Sequence, residues 1–78
     1  MRDRKWHENQ LKEIYDAFND AVECKDLDIW ELCYFMQELH RCWDIIELAV
    51  KEGIDSDIID RFKELACQME CFIWKRWL

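Results

Sequence analysis

The sequence predicts an all-α, three-helix bundle, and three observations carry that prediction. Apolar residues recur at helical spacing through three long stretches, and no stretch alternates as a half-buried strand does. The chain holds no proline and one glycine, Gly53, so little interrupts those stretches. Cap-forming residues fall where the periodicity breaks, at Asp28 and at Asp55, Ser56 and Asp57. The helices are placed at about 3–25, 28–52 and 56–77, within a single domain spanning 1–78.

In the first helix Leu11, Ile14, Tyr15, Phe18, Ala21 and Val22 recur on one side, and Glu13, Asp16, Asp20 and Glu23 occupy the other. The joint that follows, Lys25 to Leu27, has neither Gly nor Pro. A turn is expected there because Asp26 and Asp28 compete for local backbone hydrogen bonds. Without it the first two helices merge, and the merged helix can bury its faces only in a swapped dimer.

The second helix starts at Asp28, with Glu31 three residues later in the manner of a capping box and Leu27 and Leu32 as a hydrophobic staple. Its expected core stripe runs through Ile29, Leu32, Met36, Leu39, Trp43, Ile46 and Val50, broadened toward a second neighbour by Phe35, Cys42 and Ala49. Gly53 suits a left-handed helix end, with apolar Ile54 after it.

The third helix carries surplus apolar surface. Ile58, Phe62, Leu65, Met69 and Phe72 form a core stripe flanked by Ile59, Ala66, Ile73 and Trp77. Cys67, Cys71, Trp74 and Leu78 form another on roughly the opposite side, where a surface helix is ordinarily polar. That stripe implies a partner, and self-association into a homodimer through the third helix is the first expectation. Lys75 and Arg76 beside it complement the negative end of the helix dipole.

At 78 residues a single core gives little net stability, and five Trp, four Phe and two Tyr offset the small size. The formal charge of −7 disfavours nucleic acid or an anionic membrane as direct ligands and favours a basic protein surface. No apolar run reaches membrane-spanning length and the charged N-terminus is unlike a secretory signal, so a cytoplasmic location is expected. The five cysteines, odd in number and set within helical patterns, are expected to be reduced. Cys33 and Cys42 are read as small core residues, and His7 and His40 as structural imidazoles on apolar faces.

No cofactor or metal is expected. The alternative is a metal or redox site on Cys67 and Cys71, spaced i, i+4. With Cys33 and His40 read on the core side, that site requires a second subunit. No phosphate loop, zinc-protease motif or nucleophile elbow is present and the only serine is Ser56, so the chain is not read as an enzyme.

Two surfaces are candidates for partner binding besides the third-helix stripe. Trp30, Tyr34 and Leu48 lie on one flank of the second helix with Arg41, residue types common at interface anchors. Glu13, Asp16, Asp20 and Glu23 line charge along the first helix in a rail that can imitate phosphates or simply be a solvated face. This profile, a short acidic chain with surplus aromatics and free cysteines, resembles in general character the small inhibitors that phages and mobile elements deploy against host machinery, anti-CRISPR proteins among them. The resemblance implies a virus-encoded inhibitor of nucleic-acid-handling or defence machinery in the host cytoplasm, acting by steric block or nucleic-acid mimicry. A structural or adaptor homodimer, whose apolar stripe serves self-assembly only, is the alternative.

Overall fold

The computed structural model describes residues 3–77, the side chain of Trp77 excepted. It is a three-helix bundle: α1 Arg4–Glu23, α2 Ile29–Glu52 and α3 Ser56–Trp77, each packed on both of the others. The bundle is 38 Å long and 19 by 16 Å across.

Each helix ends for a local reason. The Asp3 carboxylate accepts the Trp6 backbone N–H at the start of α1 (2.9 Å), and the Asp28 carboxylate accepts that of Glu31 at the start of α2 (2.8 Å). Extended backbone at Cys24 (ψ 121°) stops α1, so the first two helices are separate. Gly53 stops α2 at φ 70°, with Gly53 N–H donating to the Val50 carbonyl and Ile54 N–H to that of Ala49, the paired bonds of a Schellman end. Asp55 supplies the backbone carbonyl that opens α3, while the carboxylates of Asp55 and Asp57 turn to the Arg4 guanidinium of α1 (2.6 and 2.8 Å). The Arg4 contact holds Asp57 below the usual carboxylate range.

The core takes Leu11, Ile14 and Ala21 from α1, Phe35, Leu39, Cys42, Ile45, Ile46 and Ala49 from α2, and Ile58, Phe62, Leu65, Ala66 and Met69 from α3. Phe18, Phe35 and Phe72 form an aromatic cluster at one end, with centroids 5.5 to 6.1 Å apart. Cys42 is fully buried, its thiol donating to the Phe62 carbonyl, and burial pushes its pKa up to about 12. His7 is also fully buried, with Nδ1–H donating to the Asp3 carbonyl at 2.8 Å.

The α2 core face departs from the sequence expectation. Ile29, Met36, Trp43 and Val50 are exposed, and the buried arc is centred instead on Phe35, Cys42 and Ala49, with Ile45 and the nearly buried Glu38 on its far edge. A helix wedged between two neighbours buries the arc that faces both, and here two adjacent apolar ladders compete for that place. Cys33 and His40 ride on the displaced ladder and are exposed, so neither is the core residue expected. On α1 the same rotation leaves Tyr15 and Val22 about half exposed, because His7 and Ile14 define the centre of its buried face. The α3 core stripe lies where the periodicity put it.

Candidate protein-binding site

Trp30 and Tyr34 lie one turn apart on the α2 flank that faces α1, and they stand 80% and 57% exposed. They project beside a groove of about 370 Å³ that sequence reasoning did not foresee. Ala17 and Ala21 are spaced i, i+4 on α1, and side chains this small leave room between the helices. Leu27 closes the end, and buried Phe35 lies at the back. The signal was available in the paired alanines and the aromatic pair, but only the inter-helix register brings them together.

Three carboxylates rim this groove, Asp20 from α1 and Asp28 and Glu31 from the start of α2. Asp28 is engaged as a helix cap, and Glu31 accepts a hydrogen bond from the Cys24 thiol at 3.3 Å, a contact that raises the Cys24 pKa. Asp20 makes no ion pair with any described residue and is the freest of the three. The groove therefore combines an apolar floor, two projecting aromatic rings and charge of one sign. Aromatic faces and carboxylates are both groups that attract a cationic side chain.

Arg41 is differently employed. Its guanidinium pairs with Glu13 of α1 at 2.7 Å and Glu38 of α2 at 3.3 Å, and also donates to Gln10. It ties α1 to α2 two turns from Tyr34 and compensates the nearly buried Glu38, with its own pKa raised chiefly by Glu13. Glu13 is consequently neutralised within the acidic rail. Asp16, Asp20 and Glu23 remain exposed and unpaired among the described residues, which concentrates the free negative charge toward the groove end of α1.

On α3, Cys67, Cys71 and Trp74 are exposed, Trp74 at 67%, and Leu78 lies outside the described residues. A second groove, about 510 Å³, runs between α1 and α3. Its rim mixes Glu8 and Glu64 with Lys12 and Arg61, so it presents no single sign of charge. Among the described residues no group of three or more His, Cys, Asp or Glu is placed to hold a metal ion, and no helix is long and apolar enough to cross a membrane. Comparison with protein-family models, with curated proteins and with solved structures finds no match.

Proposed function

We propose that this chain is a small acidic protein-binding module whose α1–α2 groove takes a basic segment on the surface of another protein. The observation that carries this reading is the pairing of exposed Trp30 and Tyr34 with Asp20, Asp28 and Glu31 around one cleft. Aromatic rings supply rigid contact area at small entropy cost, and the carboxylates select for Lys or Arg. Asp16 and Glu23 extend the negative surface along α1 beyond the cleft. A protein surface built to hold phosphates presents the complementary basic charge, so the reading extends to inhibition of a nucleic-acid-handling protein by occupying that surface. Steric docking and charge mimicry then operate at one place, since Asp20 belongs both to the rail and to the groove.

The test is affinity capture by the tagged chain and by a variant combining Asp20→Asn, Trp30→Ala and Tyr34→Ala. A nucleic-acid-handling protein retained by the parent, released by duplex oligonucleotide and absent from the variant's eluate supports the reading. Partners captured equally by the variant, or insensitive to the oligonucleotide, contradict it.

A further inference from the structure

The ladder that α2 leaves in solvent has the spacing of a coiled-coil seam. Ile29, Met36, Trp43 and Val50 recur every seven residues, and Cys33, His40 and Glu47 lie between them in alternating steps of four and three. Every one of these positions is exposed. From Ile29 to Val50 the seam covers about 32 Å at the helical rise, most of the bundle's 38 Å length. Glu47 is its single charged residue in a chain that is 37% charged.

We propose that two copies of this chain pair through this seam, α2 against α2 and antiparallel. Self-complementarity is written in the spacing. A two-fold axis through the level of Leu39 and His40 sets Met36 level with Trp43 of the second copy, and Ile29 level with its Val50. The first pairing joins a thioether to an indole and the second joins two branched aliphatic side chains. The parallel arrangement instead stacks Glu47 on Glu47 of the second copy, a like-charge contact inside the seam. Trp43 is prepared for burial, because its indole N–H already donates to Glu70 of its own chain at 2.8 Å and leaves no stranded donor when water departs.

Length decides between this seam and the third-helix stripe as the homodimer face. A standard interface takes about 800 Å² from each partner, which on a molecule 38 by 19 Å in side view requires nearly a whole long face. The α3 stripe takes eleven residue steps in the sequence, from Cys67 to Leu78, about half the twenty-one from Ile29 to Val50. The α2 seam runs the required length. It also lies on the flank away from Trp30 and Tyr34, so pairing leaves both grooves open and makes the dimer bivalent. This inference does not depend on what the groove binds.

The experiment measures the mass of the reduced, full-length protein by light scattering over a concentration series, beside a Met36→Glu, Val50→Glu variant. The parent is expected at the mass of two chains and the variant at one, 9.7 kDa, with helical circular dichroism retained. Cross-linking gives a second readout that does not need the acidic variant to fold. Cys24, Cys33, Cys67 and Cys71 are replaced by Ser, and His40→Cys is added. On mild oxidation this protein is expected to form a covalent dimer at least tenfold faster than one keeping Cys33 as its only exposed thiol. A monomeric parent at every concentration, a variant that stays dimeric, or cross-linking through Cys33 as fast as through the His40→Cys site overturns the proposal.

Discussion

Trp43 on α2 donates its indole N–H to the carboxylate of Glu70 on α3 at 2.8 Å, across the line where the exposed ladder of α2 meets the third helix. The contact fixes a large, 40% exposed ring at the surface with its one donor satisfied.

Glu70→Ala separates the two consequences of that bond. In the isolated chain the indole N–H turns to water and stability falls by less than about 1 kcal/mol. In the pair the donor is buried without an acceptor, and self-association weakens by roughly tenfold, about 1.4 kcal/mol. Thermal melts of dilute protein and light scattering of concentrated protein check the two halves.

Thiol reactivity reports both the core and the seam. Cys42 is buried and its pKa stands near 12, so at pH 8 it reacts with a maleimide only on global unfolding. Cys67 and Cys71 are exposed and react directly. Cys33 is exposed in one chain but lies in the seam, so its labelling slows as protein concentration rises while that of Cys67 and Cys71 does not. Mass spectrometry of timed labelling reads all four sites.

Two titrations give stability opposite slopes. Cys42 has a raised folded pKa against its ordinary 9.0, so its contribution is whole below about 9 and is lost as pH rises from there toward 12. Asp57 has a lowered folded pKa, so its contribution is present above 3.8 and is lost as pH falls below that value. Cys42→Ala flattens the alkaline limb, and Asp57→Asn flattens the acid one. Urea unfolding at pH 3 and pH 11 against pH 7 checks both.

Arg41→Ala strips the countercharge from nearly buried Glu38 and cuts the tie from α2 to α1. A loss of about 1–2 kcal/mol is expected, discounted from a fully buried pair because Arg41 and Glu13 are partly solvated. Arg41→Lys restores only part of it, since one ammonium does not span Gln10, Glu13 and Glu38. Chemical denaturation of the two variants measures the difference.

The helices, the Asp28 cap, the Gly53 end and the α3 core were legible because each rests on local rules, whereas the Asp55 and Asp57 carboxylates, read as caps, turn to Arg4. Asp28 caps as its spacing to Glu31 implies, and Gly53 takes the left-handed conformation its position requires. The α2 face was legible in part: Phe35, Leu39, Cys42, Ile46 and Ala49 are buried as their spacing put them, whereas Ile29, Met36, Trp43 and Val50 are not. Its two apolar ladders, Ile29 to Val50 and Phe35 to Ala49, satisfy the same periodicity, and only packing against α1 and α3 together chooses between them. The same choice governs the groove: Trp30 and Tyr34 were visible as a flank, whereas Ala17, Ala21 and Asp20 join them only through the register of α1 on α2. Arg41 was read as an open anchor by residue type, and its geometry gives it an internal task.

The cleft beside Trp30 and Tyr34 is proposed to hold a cationic side chain. The direct measurement is a nitrogen-15 NMR titration with a short Arg- and Leu-containing peptide, at low and at high salt. Binding at this cleft shifts the Trp30 indole and the Asp20, Ala21 and Glu31 amides at low salt, and the shifts shrink as salt rises. Asp20→Asn weakens the effect, and a peptide with Glu in place of Arg produces none. Shifts confined to Cys67, Cys71 and Trp74, or equal shifts from both peptides, contradict the account.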